Sequence, residues 1–300
     1  MALNQSNETG NVQLAQLVSD PSPDGIIKEV KKIFCYHYPQ KHYHSIEQSY
    51  WHVRALYEGE FPGYRACNTK YHDFSHSMDT LLASARLMDG YNLVNTPFPV
   101  DLSVKLMVSS LLHDTGYIQE AWDVEGTGGK YTTTHVARSI QFLSKNNEIF
   151  RIGADGVRTI GNMIWCTDLN AKIGNIAFLG HEEKTAGLIL GTADLLCQMS
   201  NRAYMEKLIY LFEEFKEGGV PGFDVEYDII RKTVDFYGFM KVRFVETLSD
   251  VRMYAQNHFM NRFSIDHNLY REAIERHIAY LREIIKDGNP DFRKKFRRWN

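Results

Sequence analysis

Apolar residues recur along this chain at helical spacing almost from end to end. Ile26, Ile27, Val30, Ile33 and Phe34 predict an amphipathic helix behind Asp24, which can cap it. A second helix is predicted over 45–57, closed by Gly59, Pro62 and Gly63. Further helices are predicted over 75–89, 102–113, 132–146, 155–166 and 183–200. Asp101 is the expected N-cap of the 102–113 helix, and Pro97 and Pro99 mark the loop before it. Leu208, Leu211, Phe212 and Phe215 share one face of a helix over 204–216 that stops at Gly218-Gly219. The stretch 225–259 reads as helical, with Gly238 as the point where it can kink or divide. Ile274, Ile278, Leu281 and Ile285 mark a closing helix over 270–286. There is no convincing period-2 strand and no internal repeat, so the pattern predicts an all-α fold in one compact multi-helix domain. Three parts are expected: a flexible polar segment over 1–22, a core over 23–217, and a helical extension over 218–300 packed on the same domain.

Composition narrows the classes of partner. The chain has 300 residues, 44% hydrophobic and 24% charged, which is ordinary for a globular protein. A net charge of -3 gives no reason to expect nucleic acid or an anionic membrane. The basic run from Arg293 to Arg298 is short, and a solvated tail is the expectation for it. The first residues lack the charged and apolar regions of a secretory signal, and no apolar stretch approaches the roughly 18 residues that span a bilayer. Cys35, Cys67, Cys166 and Cys197 are widely spaced and form no CxxC pair, which argues against a cysteine-ligated zinc and for free thiols in a cytoplasmic protein. Phe236, Tyr237, Phe239 and Phe244 are expected in the core.

One predicted helix ends in unusual chemistry. The apolar run from Val104 to Leu112 stops at His113-Asp114-Thr115-Gly116-Tyr117. A buried carboxylate is costly unless it is paired or bound to a metal, so Asp114 needs a partner. Two more histidines, His72 and His76, stand four residues apart in Tyr71-His72-Asp73-Phe74-Ser75-His76, on one face if that segment is helical. A second acid, Asp194, lies within the apolar helix around Ala193, Leu195 and Leu196. His76, His113, Asp114 and Asp194 together form a mixed nitrogen and oxygen set, suited to Zn, Mn, Fe or Co rather than to a thiolate site. Such a set points to hydrolysis, with a water of lowered pKa as nucleophile.

This H…HD…D pattern resembles that of the HD-domain metal-dependent phosphohydrolases. Residues Tyr71 to Asp79 are similar to the YHNxxHAxD signature of the class I cyclic nucleotide phosphodiesterases, as is the 37-residue interval from His76 to His113. Ile164 to Leu169 resembles that family's ATDM segment, Ala193-Asp194-Leu195 its ADI segment, and Glu213-Glu214-Phe215 its EEF. The resemblance covers about half the chain, residues 65–217. It implies two divalent ions, the first held by His76, His113, Asp114 and Asp194, and a second, Mg or Mn, reached through Asp114 as a bridge. It also implies His72 as the general acid and Thr167, beside Asp168, as the group that orients a metal-activated hydroxide. His135 stands where HD proteins often carry another metal- or water-binding histidine, while Tyr117 departs from the family's HDxxH. The expected activity is hydrolysis of a small phosphodiester such as a cyclic nucleotide, in a protein that can form a homodimer. Two alternatives stay open: a nucleotide phosphomonoesterase or dNTP hydrolase, and a non-catalytic HD regulatory or scaffold module.

Overall fold

The helical periodicity is realised throughout the computed structural model, which describes residues 12–288 and 291–296. The helices are α1 (Pro23–His37), α2 (Tyr43–Glu58), α3 (Phe74–Val94), α4 (Val100–Leu112), α5 (His135–Asn146), α6 (Ala154–Trp165), α7 (His181–Ser200), α8 (Tyr204–Glu217), α9 (Glu226–Val242), α10 (Tyr254–Phe263) and α11 (Leu269–Asp287). Among the described residues there is no strand, only an isolated bridge between Tyr64 and Glu120. No described helix is long and apolar enough to cross a membrane.

α3 and α7 lie side by side at the centre. Both are buried nearly all round, which a surface helix with one polar face cannot be. α1, α4 and α10 cover α3, while α6 and α11 cover α7. One hydrophobic core therefore runs from Ile26 in α1 to Phe296 at the C-terminal end. The close approach of α7 to the end of α6 depends on Gly191, where a Cβ would stand 2.3 Å from the carbonyl oxygen of Cys166.

Several local expectations are corrected. Ser22, not Asp24, caps α1: its hydroxyl accepts from the Gly25 N–H at 3.1 Å, with Pro23 preset at the first helical position. Asp24 instead accepts from the Tyr50 hydroxyl and Arg54. Pro99 occupies the cap position of α4, and Asp101 sits in the first turn, paired with Lys105. The stretch 225–259 does not divide at Gly238, which lies within α9. It breaks through a π-helical turn over Arg243–Thr247 and left-handed backbone at Ser249 and Asp250, after which α10 begins. That turn points Arg243 and Phe244 inward.

The lead-in is not wholly loose. Leu14–Gln16 forms a short turn, and Val12, Leu14, Leu17 and Val18 pack against the core; residues 1–11 lie outside the described ones. Nor is the basic run a free tail. Phe292 and Phe296 are buried, and Arg293, Lys294 and Lys295 pair with Glu226, Asp291 and Asp287. Arg297 and Arg298 lie outside the described residues. Phe244 joins the core as expected, and Phe236 and Tyr237 pack against it, but Phe239 is 54% exposed. All four cysteines are free thiols.

Candidate metal centre

α3 begins at Phe74, two residues too late to include His72. Asp73 is its N-cap, with its carboxylate accepting from the His76 N–H at 2.8 Å, so His76 is helical and His72 precedes the helix. The two histidines therefore do not share a helical face. α4 ends at Leu112, and His113 and Asp114 emerge together at 0% and 2% exposure, as the apolar run before them requires. A short turn over Thr115–Tyr117 follows. α7 supplies Asp194 from its buried middle.

Three of these side chains meet, and Asp194 reaches the two histidines among them. His76 Nε2 lies 3.2 Å from Asp114 Oδ2, 3.1 Å from Asp194 Oδ1 and 3.3 Å from His113 Nε2. His113 Nε2 lies 3.2 Å from Asp114 Oδ2 and 3.7 Å from Asp194 Oδ1. Donor atoms held about 2.0–2.2 Å from a single cation stand roughly 3.0–3.6 Å from one another, so these spacings fit. His76, His113 and Asp114 form a buried group able to hold a metal ion, and Asp194 closes on it.

Tautomers decide what the convergent atoms can do. His113 Nδ1 lies 2.9 Å from the Ser110 carbonyl, an acceptor only, so it carries the proton and donates. Its Nε2 then turns a lone pair inward. His76 Nδ1 is directed at the Cys197 thiol, 3.7 Å away, leaving its Nε2 for the centre. Asp114 Oδ2 is buried without a hydrogen bond although two imidazole nitrogens stand 3.2 Å from it. Lone pairs aimed at one another need a proton or a cation between them. In the chain by itself protons serve. Burial alone would lower the His113 pKa, but the Asp114 and Asp194 carboxylates push it up to about 9. His76 is likewise raised against the effect of burial, by Cys197, Asp114 and Asp194. The two carboxylates move the other way, against their own burial: His113 and His76 hold Asp114 and Asp194 well below the usual range. The cluster is built to bind positive charge.

Around this group stand three rings. His72 Nδ1 is 2.6 Å from Glu214 Oε2, and the other oxygen of Glu214 accepts from the backbone N–H groups of Lys70 and Tyr71 at 3.0 and 2.8 Å. His135 Nδ1 donates to the Thr132 carbonyl at 2.8 Å, and its Nε2 lies 3.7 Å from Asp114 Oδ1. Burial lowers the His135 pKa, so this imidazole is neutral, and its lone pair faces the outer oxygen of Asp114. Tyr117 is buried between these elements, with its ring nearly parallel to both imidazoles. His135 reaches this position because residue 116 is glycine: a Cβ there would stand 2.0 Å from the His135 carbonyl oxygen. Ser139 locks the approach, accepting from the Gly116 N–H and donating to the His113 carbonyl.

Thr167 and Asp168 are placed less directly. The Thr167 hydroxyl donates to the Ile164 carbonyl, and Asp168 accepts from the Asn170 N–H. Neither hydrogen-bonds to His76, His113, Asp114 or Asp194. The turn that carries them is held by Arg243, which donates to the carbonyls of Leu169 and Asp168 at 2.9 Å each.

Two further residues belong to the site. Glu214 is the buried member of the Glu213-Glu214 pair on α8, and only the pairing across to His72 distinguishes it. Gln198, one helical turn beyond Asp194, donates to its Oδ1 at 2.5 Å and accepts from the Tyr71 hydroxyl at 3.1 Å. The i,i+4 spacing from Asp194 was a legible signal for Gln198.

No protein-family model matches the chain, and no curated protein matches it. Function has to be argued from these side chains themselves.

Proposed function

We propose that the protein is a metal-dependent phosphoester hydrolase of the HD type, acting on a small phosphodiester, with cyclic nucleotides as one candidate class. The observation that carries this reading is the buried group of His76 Nε2, His113 Nε2 and Asp114 Oδ2, 3.2–3.3 Å from one another, with Asp194 Oδ1 3.1 and 3.7 Å from the two imidazole nitrogens and the histidines' other nitrogens directed outward. Zn, Mn, Fe or Co suits this donor set. A second ion, Mg or Mn, is supported by the two acceptors left facing each other at 3.7 Å, His135 Nε2 and Asp114 Oδ1. When bound, such ions supply a nucleophilic water active near neutral pH and positive charge against a phosphoryl oxygen.

The chain supplies the acid. With Nδ1 directed at Glu214, His72 keeps Nε2 for carrying a proton to the departing ester oxygen. Glu214 fixes the plane of that imidazole, and the Lys70 and Tyr71 amides in turn fix Glu214. His72 stands beside the metal-binding group without joining it, its ring centroid 5.7 Å from that of His76. Near-complete burial of the site keeps bulk water from competing with the positioned one.

The test combines metal analysis of purified protein with hydrolysis of bis(p-nitrophenyl) phosphate in Mn or Mg. Co-purifying divalent metal and metal-dependent release of p-nitrophenolate are expected. Protein that holds no divalent ion and releases nothing in either metal would sink the proposal.

A further inference from the structure

Tyr117 occupies the position where the HD pattern calls for a third histidine, and its ring stacks on two imidazoles beside the metal-binding group. Its ring lies 4.2 Å from that of His72 at an interplanar angle of 10°, and 4.6 Å from that of His135 at 20°. The two imidazole centroids are themselves only 6.1 Å apart. Each imidazole therefore stacks on the same phenol ring.

That floor is itself anchored. Tyr117 follows Asp114 by one short turn and is 2% exposed, and the nearby Thr132 carbonyl accepts from His135 Nδ1. His72 and His135 reach the site from different directions, one from the loop before α3 and the other from the start of α5. Neither holds the other: Glu214 orients His72, and Thr132 orients His135. The phenol ring is a surface common to both.

We infer that Tyr117 is a positioning residue that sets the distance between the acid His72 and the imidazole of His135, and so determines which leaving groups the site can expel. The inference rests on the phosphohydrolase reading. A p-nitrophenolate leaves without protonation, whereas an alkoxide needs His72 in place. A displaced His72 thus spares the first kind of ester and penalises the second.

The experiment compares full-length wild type, Tyr117→Phe and Tyr117→Leu, loaded with Mn, on bis(p-nitrophenyl) phosphate and on methyl p-nitrophenyl phosphate against an alkyl diester such as a cyclic nucleotide. Tyr117→Phe keeps the ring and should stay within about 3-fold of wild type on all of them. Tyr117→Leu should lose roughly 10²-fold in kcat on the alkyl diester, with KM and metal content unchanged, and far less on the nitrophenyl esters. Equal losses on both kinds of ester, or no loss on either, would overturn the inference. A readout independent of turnover comes from NMR of the metal-free protein. The ring protons of His72 and His135 should both show upfield ring-current shifts in wild type and in Tyr117→Phe; unshifted protons in wild type would overturn the floor whatever the variants do. Should wild type hydrolyse no ester while both histidines are shifted, the floor stands and it is the phosphohydrolase reading that fails.

Discussion

At the residue scale the roles separate by what each substitution leaves behind. Asp114→Ala removes an oxygen common to both imidazole contacts, so divalent metal should be lost together with activity. His72→Ala should retain the metal and lose about 10²–10⁴ in rate, the range of a positioned acid. Elemental analysis beside steady-state kinetics checks the pair; equal metal loss in both variants would refute the division. The pH dependence follows from His113, whose pKa in the metal-free chain rises from about 6.5 to about 9. Its contribution to stability is fully present below pH 6.5 and disappears as pH rises through 9. Chelated protein should thus lose thermal stability over that window. Metal has to displace the same proton, so its affinity should climb with pH across that window. Calorimetry with and without chelator reads both trends, and an affinity that is flat across the window would contradict them. None of this could be read from residue type alone. His113 and His135 are both histidines near Asp114, yet surrounding carboxylates raise one and burial lowers the other.

At the element scale the packing of α5 on the turn after Asp114 is what brings His135 in. Gly116→Ala would drive a methyl group into the His135 carbonyl, a backbone atom with no easy retreat. A cost of roughly 1–3 kcal/mol is expected from overpacking, together with weakened binding of a second ion while the first is kept. Metal stoichiometry of the variant decides it; two tightly held ions would contradict the placement. A second junction joins α1, α3 and α10 far from the metal centre. Asp89 in α3 is fully buried and accepts from His37, His258 and Arg262. Burial alone would raise its pKa, but those three donors hold it well below the usual range. Its stabilisation is therefore present above about pH 4 and lost as pH falls below that. Asp89→Asn should cost about 3–5 kcal/mol in chemical denaturation, because it removes the counter-charge of Arg262 and the carboxylate that His37 and His258 hydrogen-bond to. A change within error would mean that the helices pack without it.

At the scale of the whole molecule, α10 and α11 complete the walls around α3 and α7, the two helices that carry His76 and Asp194. A chain ending at residue 217 would uncover the apolar faces those helices bury. It should show no cooperative thermal transition and should bind a hydrophobic dye, whereas the full chain should melt in one step by circular dichroism and tryptophan fluorescence. A truncated protein that melts cooperatively and still binds metal would make residues 218–300 a dispensable addition. The same continuity explains why element boundaries were harder to read than element types. Amphipathic spacing marks a helix wherever it packs. Its ends are set by single contacts, such as Ser22 under Gly25, Asp73 under His76, or the inward swing of Arg243.

The sequence by itself determined the helical class and the apolar faces, and it singled out His76, His113, Asp114 and Asp194 as candidate ligands, because buried acids and histidines amid apolar helices have few physical explanations. It also marked His72 and His135 as candidates. Only the tertiary structure decided which neighbours serve them. Glu214 stands 142 positions from His72, and Gln198 stands 127 from Tyr71, separations across which no local periodicity carries information. The floor under the two imidazoles is the clearest case. Tyr117 reads in the chain as a missing histidine; in the fold it is a ring against which the loop before α3 and the first turn of α5 both come to rest. Which segments meet is settled by packing of the whole core, over separations that no local pattern in the chain encodes.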